Sequence, residues 1–142
     1  MSMMYAKYMD IEKNGDDDAK REANKVIQYL TPVCKAFMTD MGLEVTSLGI
    51  QVFGGHGYIR EWGMEQLMRD VRIAQLYEGT NGIQALDLIG RKLTRDGGNM
   101  LEATYNAFGE FVSAMDDKES QSRAQALLDD WRAASADCLG MS

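Results

Sequence analysis

Apolar residues recur at three- and four-residue steps along most of the chain, which is typical of helices with one apolar face. The spacing predicts a helix at residues 17–30 and another of about twenty residues that begins near Val33. Thr31 and Pro32 form either the N-cap and first turn of that second helix or a kink within one longer helix. The apolar positions of the second stretch are Val33, Phe37, Met38, Met41, Val45, Leu48 and Val52.

Glycines mark the places where these helices end or pack closely. Gly54 and Gly55 are expected to end the long helix, because glycine readily adopts the left-handed conformation of a C-cap. Residues 54–63 are predicted as a loop. Gly42 and Gly49 lie inside the helix, where each costs up to about 1 kcal/mol relative to alanine. We therefore expect close packing against a neighbouring helix or ligand at both glycines.

The rest of the chain continues the helical pattern. Glu78 and Gly79 interrupt it, and either Thr80 or Asn81 can cap the helix that follows. The predicted fold class is all-α, an up-and-down helical bundle of five or six helices with short connections and extra C-terminal helices. The further helices are expected near residues 64–77, 81–93, 100–115 and 118–139.

Composition agrees with one soluble helical domain. The chain has 142 residues, of which 45% are apolar and 26% charged, enough for one core and too few for two comfortable domains. Eleven methionines are present, and those on the apolar stripes are interpreted as core filling. These are Met38, Met41, Met64, Met68, Met100 and Met115.

Charge and cysteine usage exclude several classes of function. A net charge of -7 argues against a general nucleic-acid surface, and no apolar run approaches the roughly 20 residues of a membrane span. The first ten residues lack the apolar core of a secretory signal. Cys34 and Cys138 match no metal spacing and indicate free thiols in a reducing, cytoplasmic compartment. One histidine makes a histidine-based metal site improbable, so no metal is expected.

Three short motifs follow one another at a specific spacing. Each is weak alone, but together they resemble the C-terminal domain of acyl-CoA dehydrogenases over residues 30–97. The segment beyond Gly98 resembles the extension of the longer bacterial members. The motifs are Gln51-x-x-Gly54-Gly55-x-Gly57-Tyr58, then Arg69-Asp70-x-Arg72-Ile73, then Tyr77-Glu78-Gly79-Thr80-Asn81-Gly82-Ile83-Gln84.

The resemblance implies a larger protein than this chain. Members of the family combine an α-helical N-terminal domain, a β-rich middle domain and a C-terminal four-helix bundle, and only the bundle has a counterpart here. We therefore expect an isolated C-terminal domain or fragment without dehydrogenase activity of its own. The expected divisions are an N-terminal segment at residues 1–16, the bundle at 17–96 and a helical extension at 97–142.

The resemblance also implies a reaction. In the family, a glutamate at the position of Glu78 removes the α-proton of an acyl-CoA thioester, while the β-hydrogen leaves as hydride to N5 of FAD. Desolvation makes a carboxylate a stronger base, and the backbone N–H of Glu78 is expected to donate to the thioester oxygen. A solvated acid at a helix end is the alternative.

Cofactor and substrate contacts follow from the same resemblance. The segment with Gln51, Gly54 and Gly55 is expected to reach the FAD of a neighbouring subunit, which implies a homo-oligomer. Electrons are expected to pass to an electron-transfer flavoprotein. The remaining expected contacts are Thr80, Asn81 and Gly82 for FAD, and Tyr77, Gly79 and Arg91 for acyl-CoA.

Other residues of the motifs are interpreted as structural. Arg69, Asp70 and Arg72 are expected to form ion pairs that fix the helix before Glu78, and His56 to lie on the loop surface. The competing hypothesis for the whole chain is a non-enzymatic α-helical interaction or oligomerisation module in which Glu78 has no role.

Overall fold

The computed structural model describes residues 2–140, and all regular structure in that range is helical, which confirms the all-α fold class. None of these helices combines the length and apolar character that crossing a membrane requires. The α-helices are α1 (Ser2–Asn14), α2 (Asp17–Phe53), α3 (Gly55–Tyr58), α4 (Met64–Arg72), α5 (Asn81–Asp87), α6 (Asn99–Ser113) and α7 (Lys118–Leu139). Short 3₁₀ turns span Arg60–Trp62 and Ile73–Gln75, and a π-helical stretch spans Leu88–Leu93.

The chain divides into two compact units. The central unit runs from Pro32 to Ala85 and contains most of α2 together with α3, α4 and the start of α5. The terminal unit combines residues 2–31 with residues 86–140. The long helix α2 therefore contributes its first turns to one unit and its remainder to the other.

Helix α2 is one helix of 37 residues, so the interpretation of Thr31 and Pro32 as the start of a separate helix is wrong. The carboxylate of Asp16 accepts the N–H of Ala19 at 2.8 Å and caps the helix. The Thr31 hydroxyl donates to the carbonyl of Ile27 at 2.7 Å and caps nothing. Pro32 is buried inside the helix, where packing outweighs the loss of one backbone hydrogen bond.

The terminal unit has a compact core between α2, α6 and α7. The ring of Trp131 lies edge-on to both Tyr29 and Phe108, with centroid distances of 5.7 and 6.1 Å. At the surface, the Arg132 guanidinium makes two bonds of 3.1 and 2.8 Å to the carboxylate of Glu102, which joins α7 to α6. The buried residues of this unit are Ala23, Val26, Tyr29, Leu30, Leu93, Gly98, Leu101, Thr104, Ala107, Val112 and Ser135.

In the central unit, α4 packs against α2 at the two glycines singled out in the sequence. A Cβ at Gly42 would stand 3.1 Å from Val71, and one at Gly49 would stand 2.5 Å from Met64. Close packing against a neighbouring helix is therefore confirmed at both positions. Gly42 faces Val71, near the end of α4, and Gly49 faces Met64, at its start. The two helices therefore run antiparallel.

One face of the central unit is apolar and exposed. Met38 is 52% exposed and Met41 39%, so the interpretation of these two methionines as core filling is wrong. Helical spacing shows that a face is apolar but cannot show what covers it. Contiguous apolar surface of this kind is typical of interfaces. The other exposed members of this face of α2 are Phe37, Val45, Leu48 and Val52.

Two carboxylates make the stability of the terminal unit depend on pH. Hydrogen bonds from Ser120 lower the pKa of Asp117, which caps α7, and hydrogen bonds from Tyr105 and Gln125 lower the pKa of Asp129. A group with a lowered folded pKa stabilises the fold above its unfolded pKa of about 3.9, and that stabilisation is lost as the pH falls through the folded value. We expect the melting temperature to drop as the pH falls below about 4.

The variant Asp117→Asn tests this pH dependence. Asparagine caps a helix about as well as aspartate but carries no titrating group. The variant should melt like the wild type near neutral pH and should lose less stability than the wild type on acidification, as measured by circular dichroism. Identical acid profiles of the two proteins would contradict the assignment.

Candidate functional site

The segment between α4 and α5 contains an unusual backbone turn, here called the Glu78 turn (residues 77–80). Helix α4 continues into the 3₁₀ turn Ile73–Gln75, and a short non-helical segment follows before α5 begins at Asn81. Glu78 has φ +54°, and among the described residues it alone combines a side chain with positive φ. This conformation costs a residue with a Cβ roughly 1–2 kcal/mol, so the surrounding structure must hold it.

Gly79 continues the left-handed backbone. It has φ +85°, and a Cβ there would stand 3.0 Å from Nε2 of Gln84 and 3.2 Å from Cγ2 of Ile83. Glycine is required at this position both by conformation and by space.

Two side chains hold the carbonyl groups of the Glu78 turn. The Lys35 ammonium, on α2, donates to the carbonyl of Gly79 at 2.6 Å. The Gln84 amide, on α5, donates to the carbonyl of Glu78 at 3.0 Å. The turn is thus fixed by main-chain carbonyls rather than by the Glu78 side chain.

Asp40 ties the two ends of the same segment to α2. Its Oδ1 accepts from the amide of Gln75 at 2.6 Å and from the amide of Asn81 at 2.7 Å. The side-chain amide oxygen Oδ1 of Asn81 accepts from Nζ of Lys35 at 3.4 Å, so the side-chain amide of Asn81 contacts both charged residues of α2. The four residues Lys35, Asp40, Gln75 and Gln84 are here called the turn clamp.

The turn clamp was not predicted from the sequence. Lys35 and Asp40 are charged residues within the long apolar pattern of α2, and nothing else in the sequence indicates their role. Their partners lie 35 to 46 residues along the chain, and no local spacing rule connects them.

The other motif residues near the turn are placed as follows. The Glu78 and Tyr77 side chains are exposed, as is Gly82. The Thr80 hydroxyl lies 3.5 Å from the N–H of Ile83, at the N-cap position of α5. The N-terminal end of this helix therefore faces solvent beside Glu78.

The glycine motif lies at the C-terminal end of α2, and no hydrogen bond among the described residues joins it to the Glu78 turn. Gln51 is exposed, and its carbonyl accepts the N–H of Gly54 at 3.1 Å. Gly54 has φ +59°, and no atom lies within 4 Å of a Cβ built on it or on Gly55. The backbone of both glycines is open to a ligand or another chain.

The predicted loop at residues 54–63 is in part helical, which is a correction. Residues Gly55–Tyr58 form a helical turn and Arg60–Trp62 a 3₁₀ turn. Gly57 allows this because it is buried against Ile50, where a Cβ would stand 2.5 Å from a carbonyl oxygen. His56 is exposed, as predicted, and its ring lies 5.4 Å from that of Trp62.

The predicted ion pairs before Glu78 are present only in part. Arg69 pairs with Glu65 at 3.2 Å. Asp70 instead accepts from the side-chain amide of Gln66 at 2.6 Å. Arg72 donates to the side-chain oxygen Oε1 of Gln75 at 3.0 Å. Arg91 belongs to the terminal unit, where it pairs with Asp87 at 2.6 Å.

A groove of about 690 Å³ lies in the central unit. Its walls are mainly apolar, and three arginines stand among them. Leu76, two residues before Glu78, is one of the lining residues. The others are Leu43, Ile50, Tyr58, Arg60, Glu65, Met68, Arg69, Arg72 and Ile73.

Comparison with known proteins gives a consistent result. Residues 5–94 match the family profile described as "Acyl-CoA dehydrogenase, C-terminal domain". The chain is 42% identical over 119 residues to 3-methylmercaptopropionyl-CoA dehydrogenase of Ruegeria pomeroyi, which covers 84% of this chain and 20% of that protein. It is 36% identical over 107 residues to a butyryl-CoA dehydrogenase of Syntrophomonas wolfei. That match covers 75% of this chain and 18% of the butyryl-CoA dehydrogenase.

A third relative is a broad-specificity linear acyl-CoA dehydrogenase of Mycobacterium tuberculosis, 37% identical over 97 residues, covering 68% of this chain and 16% of that protein. The chain spans about a fifth of the length of these curated relatives. By the extent of the profile match and by these identities, the chain belongs to the acyl-CoA dehydrogenase family, and residues 5–94 correspond to the C-terminal domain of that family.

Proposed function

We propose that this chain acts as the C-terminal domain of a flavin-dependent acyl-CoA dehydrogenase, in which Glu78 removes the α-proton of the thioester. The observation that carries the proposal is the Glu78 turn. A glutamate is held there in a rare backbone conformation, two residues after Leu76, which lines an apolar groove. Strained backbone of this kind clusters at functional sites. The division into residues 1–16, 17–96 and 97–142 is part of the same proposal.

The carboxylate of Glu78 is free to accept a proton. Within residues 2–140 its oxygens have no hydrogen-bond or ion-pair partner, and the side chain is exposed. In a complete enzyme, surrounding protein would exclude water from this carboxylate and strengthen it as a base. The N–H of Glu78 would donate to the thioester oxygen, which acidifies the α-proton.

The residues present fit FAD through their backbone. FAD, when bound, accepts the β-hydrogen as hydride. The open backbone of Gly54 and Gly55 leaves room for close approach of a ligand, with the exposed Gln51 one turn earlier. Thr80 and Gly82 stand at the N-terminal end of α5, which favours anionic groups. The amide of Asn81 is already bonded to Asp40, so Asn81 would contact FAD through its main chain.

Acyl-CoA is the proposed substrate, with Tyr77, Gly79 and Arg91 as proposed contacts. Two relatives are named for 3-methylmercaptopropionyl-CoA and butyryl-CoA, which makes these thioesters the first to test. Assembly as a homo-oligomer is supported by the exposed apolar face of α2. Electron transfer to an electron-transfer flavoprotein and a cytoplasmic location stay predictions.

The proposal is tested with a longer polypeptide that carries this domain. After purification and loading with FAD, it should reduce an artificial electron acceptor in the presence of butyryl-CoA or 3-methylmercaptopropionyl-CoA. A flavin-loaded protein that neither reduces the acceptor nor exchanges the α-proton of either thioester would contradict the proposal.

The 142-residue chain alone should show no such activity. Its groove and Glu78 are open to water, whereas a carboxylate acts as a strong base where water is excluded. The measurement is acceptor reduction by the purified chain with added FAD and acyl-CoA, against the longer polypeptide as the positive control. Turnover by the chain alone would show that this domain is sufficient for catalysis.

The second candidate function is a non-enzymatic interaction module. The exposed apolar face of α2 favours it, because such a face is typical of protein interfaces. The two hypotheses differ at Glu78, which an interaction module does not need. Loss of α-proton exchange on changing Glu78 alone would exclude the module as the sole function.

A further inference from the structure

We propose that Lys35 and Asp40 of α2 are positioning residues for the catalytic base, since they hold the Glu78 turn in its left-handed conformation. The inference rests on the proposed function of Glu78. Neither residue belongs to the motifs around Gly54 and Glu78, and neither has a side chain that would touch the reacting atoms. Both act on Glu78 through the main chain and the ends of its turn.

Two consecutive peptide planes follow Glu78, and a hydrogen bond holds the carbonyl group of each. Each peptide unit is rigid, so a bond to its carbonyl fixes the orientation of the whole plane. Gln84 holds the carbonyl of Glu78 at 3.0 Å, and Lys35 holds the carbonyl of Gly79 at 2.6 Å. Together these bonds fix the backbone torsions on the C-terminal side of Glu78.

The turn needs these hydrogen bonds because the conformational preferences of Glu78 and Gly79 do not favour its backbone conformation. Glu78 at φ +54° occupies a conformation that a glutamate rarely adopts, and the adjoining Gly79 can adopt many others. The Lys35 ammonium is partly buried, and a hydrogen bond from a charged donor is about twice as strong as one between neutral groups. Loss of this cation would leave the Gly79 carbonyl with only the longer 3.5 Å contact to the Gln84 amide, so that the Gly79 peptide could rotate and displace the carboxylate.

Asp40 completes the arrangement from the other side. One oxygen of its carboxylate accepts from Gln75, three residues before Glu78, and from Asn81, three residues after it. Both ends of the segment are thereby joined to one point on α2. The Asn81 amide is oriented between Asp40 and Lys35, at 2.7 and 3.4 Å, so the two charged residues act as one unit.

The first experiment is Lys35→Met in the flavin-loaded enzyme that contains this domain. A carboxylate misplaced by about 1 Å lowers the rate by about 100-fold, so we expect kcat to fall by about 10- to 100-fold while KM changes by less than about twofold. Bound flavin should stay at the wild-type level. Lys35→Arg should recover part of kcat, since its guanidinium can donate to the same carbonyl. Lys20→Met, on α2 but outside the turn clamp, should behave like the wild type.

The second experiment measures the turn itself, in the 142-residue chain. Backbone ¹⁵N relaxation should show increased mobility at residues 77–81 in Lys35→Met and in Asp40→Ala. Residues 23–30 of the terminal unit should be unchanged in both. Glu44→Ala, one turn beyond Asp40 on α2, is the matched control and should leave residues 77–81 as in the wild type.

The outcomes separate this inference from the proposed function. If Glu78→Gln is inactive while Lys35→Met keeps full kcat, the positioning role is wrong and the base assignment stands. If Glu78→Gln keeps its turnover while Lys35→Met makes the turn more mobile, the proposed function is wrong. Lys35 would then hold the turn without positioning a catalytic base. If kcat and the melting temperature of Lys35→Met fall together, and Lys35→Arg does not recover kcat, the role of Lys35 is structural only. That result would overturn the inference.

Discussion

Glu78→Gln should remove nearly all α-proton abstraction from the enzyme that contains this domain. Glutamine has the size and shape of glutamate but cannot accept the proton as a base, and general bases contribute about 10²- to 10⁴-fold to rates. The turn should survive the change, because Lys35 and Gln84 bind main-chain carbonyls and not the Glu78 carboxylate. A lower rate of α-proton abstraction would therefore result from the missing base and not from a change in folding.

The measurement is incorporation of deuterium at the α-carbon of a bound acyl-CoA in D₂O, followed by mass spectrometry. Flavin content and the melting temperature should match those of the wild type. Glu44→Gln, at an exposed position of α2, is the control and should exchange normally. Exchange by Glu78→Gln at the wild-type rate would place the base elsewhere.

Leu93→Ala should strongly destabilise the terminal unit. Leu93 is 1% exposed and ends the π-helical stretch Leu88–Leu93. Truncation of a fully buried leucine removes its transfer free energy and leaves a cavity, so the free energy of unfolding should fall by about 2–5 kcal/mol. Denaturant unfolding followed by tryptophan fluorescence measures this, because Trp131 packs in the same unit.

Leu127→Ala is the matched control for that experiment. Leu127 is a leucine of the same unit but is 70% exposed, so its truncation should change the free energy of unfolding by no more than about 0.5 kcal/mol. Equal losses in the two variants would show that burial at Leu93 does not determine the stability of this unit.

The helical fold could be predicted from the sequence because apolar spacing is a local signal. The limits of α7, Lys118–Leu139, agree with the pattern, and α6 differs by only one or two residues at each end. Pro32 was misjudged because the rule for proline is also local, whereas its burial in the folded chain outweighs the lost bond. The exposure of Met38 and Met41 could not be predicted, because spacing does not reveal which neighbours are present.

The candidate site could be predicted only at the level of its motif. The motif drew attention to Glu78 and Gly79, and the break between helices at that point is real. The positive φ of Glu78 was not foreseen, since glutamate has no preference for it. Lys35 and Asp40 were missed because their roles arise from contacts between distant segments.

The bonds of Lys35 and Gln84 to main-chain carbonyls have a consequence for protein engineering. Lys35 and Gln84 hold carbonyls that every amino acid possesses, so the backbone at position 78 does not depend on the side chain that it carries. The position can therefore accept a cysteine for attachment of a fluorescent reporter while the turn keeps its shape. Such a reporter would sense the polarity around the Glu78 turn and would register the arrival of a ligand or of a neighbouring domain without any enzymatic turnover.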